Sequence, residues 1–293
     1  MDIPKFLYEM LLDDYDREIV CKIIDGYQSK PVTLRVNTLK TTLVDIKNKF
    51  DELGIKYIVV SWIDALILED VTENDVMNLD IYQNGEIYLQ SLSSMLPPLF
   101  LEPCENESIL DMTAAPGGKT TEMACLSNNK ALITACEKNK IRFERMKYNV
   151  LKQGGRIGLL NQDALKLDEC FTFDKILLDA PCSGSGTLIG KESFLNITEE
   201  LIENSCIIQE KLLRKAIKLL KKNGELVYST CSILKKENEE VLRKVLKSNL
   251  VEIVPLELEN FDLPMLPVTL PGTLCLQPTS LHEGFFVAKL RKK

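Results

Sequence analysis

The sequence predicts an α/β protein: a doubly wound, mostly parallel sheet preceded by a small α+β unit. Two observations carry this expectation. From Glu107 onward, apolar runs at residues 108–110, 131–135, 157–160, 175–178, 225–228 and 284–290 alternate with helical stretches at 120–126, 140–152, 199–222 and 235–247. Such alternation implies parallel strands with helices on both faces of the sheet. The first hundred residues lack that rhythm and mix short helices with short strands. A division into residues 1–100 and 101–293 follows, and 293 residues with 45% apolar content supply core enough for both parts.

Residues 3–12 and 16–27 place apolar side chains at helical spacing. Val32-Thr33-Leu34-Arg35-Val36-Asn37 alternates as a strand does. Residues 43–53 read as a helix closed by Gly54, and residues 57–60 as another strand. Residues 65–68 and 86–89 are expected to complete a small sheet. Pro97-Pro98 and Glu102-Pro103 punctuate the passage into the second part. Residues 272–281 are irregular and expected to form a loop.

Composition excludes several kinds of chemistry. A single histidine, His282, rules out sites built on two or three histidines. A Ser-His-Asp hydrolase would depend on it alone, and the chain has no Gly-x-Ser-x-Gly elbow. Nine cysteines without a Cys-x-x-Cys spacing fit neither a disulfide framework nor a zinc site. A reducing cytoplasm and no metal are therefore expected. Met1-Asp2-Ile3-Pro4-Lys5 is no basic leader, and no apolar run nears the roughly 20 residues of a membrane span. Net charge is −7, and residues 1–100 hold 9 Lys and Arg against 17 Asp and Glu. That leaves 27 of the chain's 36 cations against 26 of its 43 acids for the remainder, where a polyanion contact is better sought. Within it, the basic run at residues 211–222 reads as a helix with its apolar face on the sheet and its cations in water.

Two cysteines stand in matching settings. Asp179-Ala180-Pro181-Cys182-Ser183-Gly184 and Tyr228-Ser229-Thr230-Cys231-Ser232 each follow an apolar, strand-like run and precede a helical stretch. At the carboxyl ends of two strands, both thiols face the side of a parallel sheet where open α/β folds bind ligands. A thiolate is accessible near neutral pH and adds to electron-poor carbon, so the pair points to covalent catalysis. Spacing does not decide which of the two attacks. The remaining seven cysteines read as small buried apolar side chains.

Thr113-Ala114-Ala115-Pro116-Gly117-Gly118-Lys119 joins the first strand of the parallel sheet to its first helix. Small residues and paired glycines let backbone approach a ligand at a helix N-terminus. A nucleotide P-loop is excluded, because its first glycine would fall at Thr113. Glu137 ends the second strand about 20 residues further on, where an acid bonds ribose hydroxyls. Asp163 follows the third strand, placed to accept from an adenine amino group. Either acid alone reads as a loop charge; in register they read as a pocket for an adenosine-bearing cofactor.

These blocks resemble the signature of the Sun-type (Nop2/Sun, RsmB-like) RNA cytosine-5 methyltransferases. The resemblance runs from about residue 30 to the C-terminus. It takes in Asp111 to Thr120, both cysteine blocks, Pro31 to Asn37, Glu237-Asn238-Glu239 and His282-Glu283-Gly284-Phe285-Phe286. It implies a class I (Rossmann-like) methyltransferase domain using S-adenosylmethionine, with Thr113, Ala114, Ala115, Pro116, Gly117, Gly118, Lys119, Glu137, Asp163 and Asp179 around the cofactor. It also implies that Cys231 is the nucleophile and Cys182 its helper, with Asp179 as a third catalytic residue. The substrate would be a cytosine of structured rRNA or tRNA, unpaired or flipped out to reach both thiols. Residues 1–100 would recognise that RNA, and a monomer with no membrane attachment is expected.

The chain departs from the family pattern in two places. Arginines and an aromatic segment are replaced by Thr187-Leu188-Ile189-Gly190-Lys191-Glu192-Ser193-Phe194, and basic and aromatic residues ahead of His282 by Leu274-Cys275-Leu276-Gln277-Pro278-Thr279-Ser280. Fewer cations mean fewer phosphate contacts. The alternative from another class is a noncatalytic RNA-binding or ribosome-assembly factor that retains the fold, and a DNA methyltransferase is a third. Intact cysteines and cofactor acids argue against the noncatalytic factor.

Overall fold

Strand and helix alternate through the computed structural model, which describes residues 3–293. Met1-Asp2, where the leader reading begins, lie outside the described residues. Helices α1 (Lys5–Asp14) and α2 (Arg17–Asp25) come first, and Asp16 starts the second by accepting from the Ile19 amide. Strand β1 (Thr33–Val36), helix α3 (Leu43–Leu53) and strands β2 (Tyr57–Val59) and β3 (Ala65–Leu68) follow. Short helices α4 (Glu73–Met77) and α5 (Asp80–Gln83) then lead to strand β4 (Ile87–Leu89). The four strands form one antiparallel sheet in the order β2-β3-β1-β4. Gly54, left-handed at φ +68°, ends α3 as the sequence predicts. Ile46 and Phe50, one helical turn apart on α3, bury against Leu34, Leu66, Leu68 and Ile87 of this sheet.

Helix α6 (Leu92–Leu101) runs through Pro97-Pro98, where the sequence predicts only a break. A proline lacks an N–H and leaves a carbonyl of the preceding turn without its helical partner. The Gln90 side chain fills that gap: Nε2 donates to the Ser94 carbonyl at 3.2 Å, the group Pro98 cannot reach. Left-handed Glu102 then closes the helix.

The parallel part begins with β5 (Ser108–Asp111), α7 (Gly118–Leu126), β6 (Leu132–Cys136), α8 (Lys140–Gln153) and β7 (Ile157–Leu160). Strands β5, β6 and β7 pair in parallel. Strand β8 (Phe173–Asp179), helices α9 (Gly190–Phe194) and α10 (Glu199–Leu219) and strand β9 (Leu220–Thr230) follow. Helix α11 (Glu239–Leu246) and strands β10 (Val251–Val254), β11 (Leu274–Leu276) and β12 (Phe285–Lys292) complete the chain. Strands β8 and β9 pair in parallel, β12 lies antiparallel to β9, and β10 and β11 lie antiparallel to β12. This is the α/β architecture expected, with differences of detail: strand β10 and helix α9 are not among the predicted elements, and the helix expected from residue 235 begins at Glu239. The helix predicted to Lys222 stops at Leu219, because Leu220 already pairs with Phe173 of β8. Residues 274–276 are a strand rather than loop: all three are buried, and the ladder to β12 satisfies their backbone groups.

The chain forms two compact units, one of residues 3–30 with Leu165–Lys293, the other of Pro31–Ala164. In the first, Tyr15 Oη donates to the Ile233 carbonyl (2.6 Å) and Tyr27 Oη to the Ser185 carbonyl (2.7 Å). The ends of α1 and α2 thereby brace the loops that follow β8 and β9. In the second, Arg35 of β1 is 2% exposed and reaches α7. Its guanidinium donates to Thr121 Oγ1 (3.1 Å) and Gln90 Oε1 (3.3 Å) and lies 4.0 Å from the Glu122 carboxyl group.

Burial outweighs the nearby guanidinium and pushes Glu122 up to about 8, so at neutral pH it holds a proton and the contact is not a salt bridge. In the unfolded chain the same carboxyl ionises near 4.5. As pH rises from about 4.5 to about 8, the unfolded chain loses a proton that the folded chain keeps, and stability falls. Glu122→Gln removes this loss. In thermal unfolding from about pH 5 to about pH 8, the melting temperature of the variant relative to wild type is expected to rise steadily. A gap that stays constant refutes a proton-holding Glu122.

Candidate functional site

The turn after β5 is built by its own side chains. Asp111 ends the strand, is 1% exposed, and accepts from Thr120 Oγ1 at 2.6 Å, which ties strand end to helix start. The Ala114 amide donates to the Cys136 carbonyl (3.0 Å) and the Gly117 amide to the Ala114 carbonyl (2.7 Å). Gly117 caps α7 at φ +104°, a conformation that L side chains rarely adopt. A Cβ on Gly118 would lie 3.1 Å from the Tyr88 ring, so neither glycine admits a side chain without strain or crowding. Lys119 Nζ donates to Ser94 Oγ on α6 at 2.7 Å.

Glu137 stands one residue beyond β6 and is 5% exposed. Its Oε1 accepts from the Asn139 amide (2.7 Å), and its Oε2 lies 3.7 Å from Arg142 of α8. Arg142 also donates to the Ala115 carbonyl (2.9 Å), so one guanidinium joins the acid to the turn. Asp163 follows β7 and is half-buried. Asp111, Glu137 and Asp163 thus leave the carboxyl ends of three neighbouring parallel strands. Acceptors in that row, beside a glycine turn at a helix N-terminus, fit a nucleoside with hydroxyl and amino donors. Cys136, beside them, is buried, and burial pushes its thiol up to about 12.

The thiols belong to the other unit. Asp179 ends β8 opposite Ser229 of β9, and Ser229 Oγ donates to its Oδ1 at 2.8 Å. Beyond these residues Cys182 and Cys231 approach with their sulfurs 3.0 Å apart, both free. The bond to Cys231, and then burial, hold the Cys182 thiol well above its ordinary range. Two glycines let the loops close: a Cβ on Gly186 would sit 2.1 Å from the Gly284 carbonyl oxygen. The Gly186 amide donates to the Cys231 carbonyl (3.0 Å), and the Gly284 amide to the Gly186 carbonyl (2.7 Å).

Glu237 is the residue that sequence reasoning quoted only as part of a block. It is fully buried, accepts from the Ser183 amide (2.7 Å) and Ser183 Oγ (2.5 Å), and accepts from Ser232 Oγ (2.6 Å). Burial raises its carboxyl above the ordinary range, and these hydrogen bonds partly offset the rise. The signal in the sequence was a serine after each cysteine, without any sign of what the two serines share. His282, expected either at RNA or in a structural turn, is buried beside Thr279, which accepts from its amide (3.0 Å). Burial and then Lys30 keep its imidazole below the ordinary range, hence neutral. In the replaced segment at 187–194, Leu188 and Phe194 are buried, with the Phe194 ring edge-on to Tyr27 at 5.8 Å, while Ile189 and Glu192 are exposed. In the basic run, Lys215 and Lys218 pair with Glu169, and Lys221 with Asp174. Among the described residues no group of three or more His, Cys, Asp or Glu is arranged to hold a metal ion, and no helix is long and apolar enough to cross a membrane.

Residues 98–291 match the family described as 16S rRNA methyltransferase RsmB/F. Ribosomal RNA small subunit methyltransferase F of Vibrio atlanticus (strain LGP32) is 36% identical over 271 residues, covering 89% of this chain and 57% of that protein. The chain spans a little over half the length of such curated relatives. Among solved structures, a methyltransferase homolog protein from Pyrococcus horikoshii superposes with a TM-score of 0.80 at 31% identity, covering 99% of this chain and 100% of the other. NSun6 from Pyrococcus horikoshii, solved with SFG, gives a TM-score of 0.87 at 25% identity over 99% of this chain and 98% of its own.

The raised Cys182 thiol has a direct readout. Iodoacetamide near pH 8, followed by peptide mass mapping, is expected to alkylate Cys231 well before Cys182. Cys182 reacting first would refute a raised Cys182 thiol.

Proposed function

Because this chain belongs to the family of 16S rRNA methyltransferases RsmB/F, we propose that it moves a methyl group from S-adenosylmethionine to carbon 5 of a cytosine in small-subunit ribosomal RNA. The observation that carries this reading is the pair of free sulfurs 3.0 Å apart at the ends of neighbouring parallel strands. Carbon 5 of cytosine is too weak a nucleophile to take a methyl group unaided. Cys231, as thiolate, adds to carbon 6, and the ring electrons move toward carbon 5. Asp179 shares a proton with N3 and takes up the charge that develops there.

S-adenosylmethionine supplies, when bound, an electrophilic methyl group on a sulfonium. Residues 113–119 would hold it, while Glu137 and Asp163 accept from its hydroxyl and amino groups. For release, the carbon-5 proton leaves to water and its bonding pair forms the double bond between carbons 5 and 6. The carbon–sulfur bond breaks with its pair on Cys231, and the Cys182 S–H stabilises the departing thiolate.

Residues 1–100 are assigned to positioning the RNA, and helix α8 adds charge that they lack. Its Lys140, Arg142, Arg145 and Lys147 are exposed, and Glu144 is the one acid of that helix. The enzyme acts as a monomer in this scheme.

With tritiated methyl donor and 16S rRNA, Cys231→Ala is expected to abolish both methylation and denaturant-resistant RNA adduct. Cys182→Ala is expected to accumulate adduct while turnover falls about 100-fold. The opposite pattern exchanges the two roles. In isothermal titration with S-adenosylmethionine, Glu137→Ala is expected to weaken binding by about 10- to 100-fold, the loss of a hydrogen bond to a charged acceptor. Unchanged affinity removes Glu137 from the cofactor site.

A further inference from the structure

The two cysteines lie 49 positions apart in the chain, on two different loops, yet their sulfurs sit 3.0 Å from each other. Backbone pairing accounts for the loops but not for the side chains. We propose that Glu237 is the positioning residue of the thiol pair: one carboxylate accepts from the serine that follows each cysteine, and so sets the separation and facing of the two sulfurs. This rests on reading Cys182 and Cys231 as the reacting thiols.

The chemistry of the donors explains why the residue is an acid. Ser183 offers its amide and its hydroxyl, Ser232 offers its hydroxyl, and the Gln209 side chain bonds the same carboxylate. An ionised carboxylate has about four acceptor positions and no donor of its own. An amide in its place would turn an N–H toward hydroxyls already engaged as acceptors, since Ser232 Oγ takes the Leu234 amide (3.1 Å) and Ser183 Oγ takes the Ser185 amide (3.3 Å). Glu237 is in turn fixed from behind, because Tyr228 Oη donates to its carbonyl at 2.8 Å. Asn238 extends the clamp, taking the Thr230 hydroxyl (2.5 Å) and donating to the Ser232 carbonyl (2.9 Å). The residues on either side of Cys231 and the residue after Cys182 are thus all held by this one pair of side chains. Glu237 touches neither the base nor the donor; it acts through the serines on the geometry of the sulfurs, where a misplacement of about 1 Å costs on the order of 100-fold in rate.

The test reads the thiols without RNA. Phenylarsine oxide bridges two neighbouring thiols, and its oxygen leaves as water with both thiol protons. In protein whose exposed Cys21, Cys104 and Cys170 have been replaced by serine, one bridge between Cys182 and Cys231 is expected by mass mapping. Glu237→Gln is expected to weaken that bridge at least about tenfold and to lower kcat for methyl transfer by a similar factor, with KM for RNA within about twofold. Ser183→Ala combined with Ser232→Ala is expected to reproduce both losses, and adding Glu237→Gln to that pair to change neither much further. A Glu237→Gln protein that melts like wild type and keeps both the bridge and kcat overturns the proposal, as does a wild type that forms no bridge. If Glu237→Gln does not fold, the double serine variant decides: retained bridging overturns the proposal, and a tenfold loss supports it. If wild type methylates no RNA, the functional reading fails while the bridging series still judges Glu237.

Discussion

The parallel pairing of β8 with β9 is the constraint on which the chemistry of this chain depends. Its register sets Asp179 opposite Ser229 at the ends of both strands. Parallel strands release their following loops on the same side, so the segments carrying Cys182 and Cys231 leave as neighbours. A slip of one residue would turn each side chain to the opposite face and part the thiols. The register is well defended. Ile176, Leu177 and Leu178 on one strand and Leu226, Val227 and Tyr228 on the other are fully buried, and β12 covers the far edge of β9. Burial of each such side chain contributes roughly 1.5–3 kcal/mol, all of it tied to the correct register.

Each compact unit also buries a polar cluster where distant segments must meet. Glu237 gathers Ser183 and Ser232 in one; Arg35 and Gln90 gather around Glu122 and Thr121 in the other. Apolar contacts tolerate sliding, whereas a misaligned buried polar group loses its partner at a cost of about 1–3 kcal/mol. Such clusters therefore specify geometry more than they add stability. The two differ in what surrounds the acid. Glu237 has hydroxyl and amide donors on both oxygens, while Glu122 Oε1 is buried without a hydrogen-bond partner. The first holds a site in shape; the second holds a strand of the small sheet to α7.

Much of this architecture was legible from periodicity. Strand–helix alternation after residue 107 marked β5 through β9 and helices α7, α8 and α10, because each strand is a short apolar run bounded by turn residues. Helix α6 was not legible, since the carbonyl that Pro98 leaves open is taken by Gln90, a residue just outside the helix. Strand β11 was hidden for a similar reason. Leu274-Cys275-Leu276 has no alternation to show, being buried throughout, and its pairing partner is β12. Of the site, the blocks around both cysteines and the row of strand-end acids could be read from local spacing. Glu237 could not, for its partners lie 54 and 5 positions away.

What the sequence determined alone is therefore chemical inventory and order: two thiols in matching settings, a glycine turn, acids after successive strands, and a family signature joining them. Those are local properties, carried by residue type and by periods of two and of 3.6. The tertiary structure decided the rest. It brought Cys182 and Cys231 to 3.0 Å, raised the Cys182 thiol above its ordinary range, and turned two unremarked serines and a glutamate into the frame that holds them. Distance, desolvation and hydrogen-bond geometry exist only once the strands have paired, so no reading along the chain could have supplied them.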